Sequence, residues 1–250
     1  MTELEKLMYR LLGTISAADT PIVFKGALIK NLVLAEHGYN EIYRETTDID
    51  CNWVGTPPSM NTLVDTVNQS LGELQNQYYA EAKREYDAKK SAGVNIIEKD
   101  TDTIITEIDI SMKPVIGSKI YYYGEMSIKG VLAIEILADK ISVLASNYIF
   151  RRMKDMIDVY SLVHCVKIQT REIYDIYDKT KKELQSFDAF LNRVPELEHA
   201  YNTLRGVEGK PDFGVVYSYL DKFLNPFIQK DHDNKIWDNK KELWRNLPEK

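Results

Sequence analysis

The hydrophobic period of this chain changes near residue 128, and that change limits the folds open to it. Before it, short apolar runs of period two alternate with helical stretches. After it, apolar residues recur at three- and four-residue steps. The pattern predicts an α+β protein of two lobes: mixed strands and helices over 1–128, then a helical lobe over 129–250. At 250 residues the chain has the length of one large domain or two small ones.

Within the first lobe, Leu4, Leu7, Met8, Leu11 and Leu12 predict a helix over 3–18. The apolar run 21–24 leads into Lys25-Gly26-Ala27 and a second helix to about His37, with Gly38 as its stop. Residues 46–53 alternate: Ile49, Cys51 and Trp53 point one way, Asp48, Asp50 and Asn52 the other. Residues 60–90 read as a helix whose charged second half, 81–90, faces solvent. Residues 94–97 and 103–111 read as strands joined by the polar turn 99–102, and 120–123 as one more. In the second lobe, helices are expected from about Val131 and over 150–165, 171–190, 195–206 and 213–224. Trp237 and Trp244, seven residues apart, suggest a last helix over 236–247.

Composition excludes several function classes. Lys+Arg 32 against Asp+Glu 38 leaves a net charge of −6, so the chain lacks the global basic footprint of a nucleic-acid-binding domain, though a local patch remains open to it. No apolar run approaches the ~20 residues of a membrane span, so no membrane partner is expected. Two cysteines exclude a disulfide framework and a four-cysteine zinc site, and the four histidines show no metal-ligand spacing. With an acidic N-terminus lacking a signal-peptide pattern, a reducing cytoplasm is the expected compartment.

Chemistry concentrates in three places. Asp48 and Asp50 are alternate residues of a strand, about 6.5–7 Å apart at the backbone and on one side. Carboxylates so placed repel each other unless a cation joins them, and a hard ion such as Mg²⁺ is the natural bridge, completing its shell with substrate phosphates. The bland alternative is a solvated strand edge. Gly26 sits between an apolar run and a helix, where backbone can approach a ligand and free N–H groups face a phosphate; a plain turn glycine would look the same. Glu107 and Asp109 share a face of a later strand, opposite Ile104, Ile108 and Ile110, and one of them offers a third carboxylate for a metal or a proton. No Walker loop and no G-x-G-x-x-G occurs, against a P-loop NTPase or a Rossmann dehydrogenase.

The order of these parts resembles polymerase-β-like nucleotidyltransferases. Phe24-Lys25-Gly26-Ala27-Leu28 resembles an F-K-G-G-T-x-L segment, and Arg44-Glu45-Thr46-Thr47-Asp48-Ile49-Asp50 an R-x-T-x-D-[IL]-D segment. Ile136-Leu137-Ala138-Asp139-Lys140-Ile141 resembles I-L-x-E-K-[IL], and the segment Arg152-Met153-Lys154-Asp155-Met156-Ile157-Asp158-Val159-Tyr160 resembles R-x-R-D-x-x-D-[LV]-Y. Together they resemble the AbiEii/AbiGii nucleotidyltransferase toxins over roughly residues 20–165. Ala27, Leu28, Lys154 and Asp139 depart from the pattern.

The resemblance implies that a nucleoside triphosphate binds between two lobes. Asp48 and Asp50 would hold Mg²⁺, or Mn²⁺ in its place, with Asp109 as third ligand and Glu107 as the fallback. Gly26 and Ala27 would give backbone N–H groups to the phosphates, Thr47 would orient the first acid or touch phosphate, and Lys25 would add charge. Lys140 would contact the triphosphate. Its own helix offers no ion-pair partner, because Ile136, Leu137, Val143 and Leu144 occupy the positions three and four away. Asp155 and Asp158 share a helix face as a base or an orienter of the acceptor. Arg151, four before Asp155 and able to pair with it, joins Arg152 and Lys154 in a basic cluster. The implied protein is an Mg-dependent nucleotidyltransferase transferring a nucleoside monophosphate to an acceptor, tRNA or protein. It would be the toxin of a toxin–antitoxin or phage-defence pair, with a separately encoded antitoxin. Two alternatives remain: a small-molecule, antibiotic-type nucleotidyltransferase, and a catalytically silent nucleotide-binding module.

Overall fold

The structure is a computed structural model that describes residues 1–83 and 91–247. It divides into two compact units, the first Met1–Leu32 with Glu45–Leu132, the second Val33–Arg44 with Ala133–Lys250.

The first unit opens with α1 (Glu3–Ala17), whose start is fixed by a reciprocal cap. The Thr2 hydroxyl accepts from the Glu5 amide at 3.2 Å and the Glu5 carboxylate accepts from the Thr2 amide at 3.0 Å, satisfying two otherwise orphaned donors. Next come β1 (Ile22–Lys25) and α2 (Gly26–Glu36). Gly38 follows α2 at φ 67°, its amide bonded back to the Ala35 carbonyl. After β2 (Tyr43–Arg44), which belongs to the second unit, follow β3 (Asp48–Trp53), α3 (Met60–Ser70), β4 (Tyr78–Ala82), β5 (Ser91–Glu98), β6 (Thr103–Ser111), β7 (Ser118–Tyr123) and β8 (Met126–Val131).

Among the described residues, seven of these strands form one mixed sheet in the order β4-β5-β6-β3-β1-β8-β7. Its register sorts the two faces. Phe24, Cys51, Ile110 and Ala92 stand opposite one another across four strands, and Ile49, Ile108 and Val94 across three. All seven are fully buried. Each large apolar side chain buried here contributes about 1.5–3 kcal/mol. The other face carries Lys25, Asp50, Asp109 and Gly93 in one row.

Three features of this unit depart from the sequence expectation. The helix expected over 60–90 stops at Ser70, and 78–82 is a strand. Gly72 at φ 54° lies in a 3-10 turn after the helix, and the Asn68 amide then bonds both the Ala80 amide and its carbonyl, at 2.8 and 3.0 Å, fixing β4 against α3. The rest of that expected helix, 84–90, lies outside the described residues. Strand β8 was not anticipated, and Ile104, expected on the apolar face, is exposed at the start of β6.

The second unit holds α4 (Ala133–Leu144), α5 (Met153–Cys165), α6 (Thr170–Thr180), α7 (Asp188–Asn192), α8 (Val194–Asn202), β9 (Val207–Glu208), α9 (Phe213–Ile228), β10 (Lys235–Asp238) and β11 (Leu243–Asn246). Strands β2 and β9 pair antiparallel. The helix expected over 171–190 ends at Thr180, where Lys181 turns left-handed at φ 52°. The one expected over 195–206 ends at Asn202. The tail is a hairpin and not a helix: Trp237 stands directly opposite Trp244, ring centroids 5.3 Å apart. A seven-residue spacing brings two rings to one side in either form. Asp238 decides it, accepting from the Lys240 and Lys241 amides at 3.1 Å each and so closing the turn. The paired rings pack on Phe223 of α9. No described helix is long and apolar enough to cross a membrane.

Candidate active site

Strand β3 supplies the acids because its period-two pattern leaves one face polar. Ile49 and Cys51 are wholly buried, whereas Asp48 is exposed and Asp50 half-buried. Strands β3 and β6 run parallel, with Asp48 opposite Glu107 and Asp50 opposite Asp109. Neighbouring strands lie about 4.8 Å apart, so Asp109 is closer in backbone to Asp50 than Asp48 is. On the other flank, Lys25 of β1 stands opposite Asp50. Glu107 forms an ion pair with Lys83.

Gly26 follows directly and starts α2 with φ 72°. A Cβ built there would lie 2.7 Å from the Cβ of Asp50 and closer still to its carboxylate. Glycine is required on two counts: the backbone is left-handed, and the Asp50 side chain fills the space. Asp50 is thereby packed against the start of a helix, where free N–H groups attract anions. Ala27 is nearly buried and Leu28 more so, so Ala27 is left with its backbone N–H to offer.

Beside the first acid the structure places Thr46. The Thr46 hydroxyl lies 3.1 Å from Asp48 Oδ1, and Thr46 is buried while Thr47 is exposed. The Thr46 amide in turn donates to Glu5 at 3.4 Å, so the carboxylate that caps α1 also steadies the approach to β3. Sequence reasoning missed both residues. Thr46 belongs to the matched motif, but Glu5 lies far from it in sequence.

The donor set suits a hard ion. Asp48, Asp50 and Asp109 offer only carboxylate oxygens, and the thiol of Cys51 lies on the opposite face. Among the described residues no three His, Cys, Asp or Glu side chains converge as a ready-made metal cage. Mg²⁺ does not need one, since one or two carboxylates and substrate phosphates commonly hold it.

In the second unit, Lys140 is buried. Its Nζ donates to Asp155 Oδ1 at 2.6 Å and to Asp158 Oδ2 at 2.7 Å. Arg44 Nη1 also reaches Asp158 Oδ2 at 2.8 Å, and Arg152 Nη2 lies 2.9 Å from Asp155 Oδ2. The partners of Lys140 thus come from α5 and not from its own helix, which local spacing could not reveal. Arg152, not Arg151, pairs with Asp155; Arg151 is exposed. Burial acts to lower the Lys140 pKa, but the charges of Asp158 and Asp155 outweigh it, so the ammonium is held above its ordinary range.

A comparison with known families covers these segments. The family model described as nucleotidyl transferase AbiEii toxin, type IV toxin–antitoxin system, matches residues 7–237. This chain belongs to the AbiEii family. The AbiEii match spans both units and covers every residue placed at this site except Glu5. Among solved structures, MenT4, a nucleotidyltransferase toxin from Mycobacterium tuberculosis H37Rv, is similar at 16% identity and TM-score 0.46, covering 86% of this chain and 79% of that one. An antigenic nucleotidyltransferase-like protein from Paracoccidioides brasiliensis is similar at 12% identity and TM-score 0.43, covering 86% of this chain and 97% of that one. No curated protein matches the sequence.

Proposed function

We propose that this AbiEii-family nucleotidyltransferase transfers a nucleoside monophosphate from an NTP to a hydroxyl of a cytoplasmic RNA, with tRNA the leading acceptor, and that a separately encoded antitoxin opposes it. One observation carries this reading: the parallel register that sets Asp109 beside Asp50, with Gly26 packed on the Asp50 carboxylate. Mg²⁺, or Mn²⁺ in its place, bound by Asp48, Asp50 and Asp109, would offset the charge of the phosphates.

The chain's own residues do the rest. The N–H groups of Gly26 and Ala27 bind triphosphate oxygens at the start of α2. Lys25 adds positive charge beside Asp50. An acceptor hydroxyl attacks the α-phosphorus, forming a new P–O bond as the bond to the β-phosphate breaks and pyrophosphate leaves. The hydroxyl proton passes to Asp109. Thr46 holds Asp48 in place throughout. Lys140 has three N–H donors, and two are taken by Asp155 and Asp158. The two aspartates fix and orient the ammonium. Arg151, exposed at the start of the segment, contributes to phosphate attraction.

The test is transfer of α-³²P from each of the four NTPs in the presence of Mg²⁺, total RNA and a protein extract, beside Asp48→Ala. Label on RNA that requires Asp48 is the expected result. Label on a protein band would move the acceptor from RNA to protein. Absence of any label would sink the reading and favour a small-molecule acceptor or a silent nucleotide-binding module.

A further inference from the structure

The face that carries the acids does not end with them. In-register residues extend it in rows across three strands: Asp48, Glu107 and Asn95; then Asp50, Asp109 and Gly93; then Asn52, Ser111 and Ser91. Two amide oxygens in this field, those of Asn52 and Asn95, have no hydrogen-bond partner among the described residues, and Asn52 is the more deeply buried of the two. It is 5% exposed, and its Oδ1 accepts no hydrogen bond among the described residues. A buried amide oxygen left unsatisfied costs about 1–3 kcal/mol. An apolar residue at this position would avoid that cost, as Val23 directly opposite it does.

We propose that Asn52 is a specificity-determining residue that accepts a hydrogen bond from a ribose hydroxyl of the bound nucleotide. The inference rests on the nucleotidyltransferase reading of the same face and names what that face selects. Alternation along β3 puts Asn52 on the side of Asp48 and Asp50, one same-face step of about 6.5–7 Å beyond Asp50. Gly26 lies toward the other end, because β1 runs antiparallel to β3 and Lys25 stands opposite Asp50. A nucleotide with its phosphates at Gly26 and Asp50 therefore presents the group attached to the α-phosphate toward Asn52. That group is the pentose, which spans one such step, whereas the base lies a ring further on. An acceptor with no internal partner calls for a donor, and the donors the pentose carries are its hydroxyls. Burial sharpens the selection, since a sugar lacking the hydroxyl leaves the amide unpaired and out of reach of water.

The experiment measures dissociation constants by calorimetry for the four ribonucleoside triphosphates, then for the 2′-deoxy and 3′-deoxy forms of the tightest, on the wild-type chain and on Asn52→Ala. The wild type should bind one of the deoxy forms about tenfold more weakly. Asn52→Ala should bind the ribonucleotide at that weaker level and no longer tell the sugars apart, with affinity for the deoxy form unchanged. Equal binding of all three sugars by the wild type overturns the proposal, as does sugar discrimination that survives in Asn52→Ala, or no binding of any triphosphate. Should Asn52→Ala not fold, Asn52→Ser replaces it with the same expectation, and the wild-type comparison stands without either. Failure here with Asp48-dependent label transfer intact rejects only the role of Asn52. Loss of label transfer itself rejects the underlying function.

Discussion

Replacing Gly26 by alanine tests the packing of the acid against the helix start. At φ 72° an L-residue is strained by about 1–2 kcal/mol. The new methyl would also stand 2.7 Å from Asp50 Cβ, a contact that rotating the carboxylate cannot relieve, so the strand or the helix start must shift. Crowding of that kind costs about 1–3 kcal/mol. The sum, about 2–5 kcal/mol, is a large part of the ~5–15 kcal/mol that holds a typical domain. At roughly 2–4 °C per kcal/mol for a chain of this size, Tm should fall by about 4–20 °C. Gly38→Ala is the matched control. Its φ is 67°, and nothing lies within 4 Å of an added Cβ there, so it should incur the conformational cost alone. The assay is urea unfolding of both variants, followed by α-³²P transfer under folding conditions. Gly26→Ala should be the less stable by about 1–3 kcal/mol and should lose transfer while folded, because Asp50 is displaced. Equal stability of the two variants, with transfer retained by Gly26→Ala, would refute the close packing on which the site rests.

Other outcomes follow from the same geometry. Lys140→Met should destabilise the chain by about 1–3 kcal/mol in urea unfolding, since it removes the cation that joins buried Asp155 and Asp158 while Arg152 and Arg44 stay paired with them; a near-neutral result would show that the two arginines alone hold the carboxylates. Because the Lys140 pKa is raised in the folded state, its contribution to stability is fully present below about pH 10.4 and is lost as pH rises through the folded value. A pH titration of unfolding, wild type against Lys140→Met, should show the difference shrinking only in strongly alkaline solution. Thr46→Val should slow transfer while changing stability by no more than about 1.5 kcal/mol, as one hydrogen bond to Asp48 is lost; unchanged kcat would remove Thr46 from the site. Both thiols should resist a thiol reagent at pH 8 until urea is added. Burial pushes the Cys51 thiol far up and that of Cys165 up to about 11. Rapid labelling of the native chain would contradict that burial.

The sequence alone was sufficient wherever the deciding interactions are local. Alternation along 46–53 determined which face of β3 bears acids, and it could do so because strand side chains alternate regardless of their neighbours. The glycine stop of α2 and the helical period of α4, α5 and α9 were legible for the same reason. The four motif segments were enough to indicate the family. Tertiary structure decided what depends on distant partners. The helix expected from residue 60 stops at Ser70, where Asn68 bonds to Ala80 and fixes 78–82 in the sheet, and the paired Trp237 and Trp244 of the tail hairpin pack on Phe223 of α9. The pairing of Asp109 with Asp50 required strand register, which no single strand contains. The ions around Lys140 arrive from α5 and β2, and the Thr46 hydroxyl meets Asp48 only once 46 and 48 are folded together. Local periodicity fixes the direction of a side chain. Only the packed chain determines what that side chain meets.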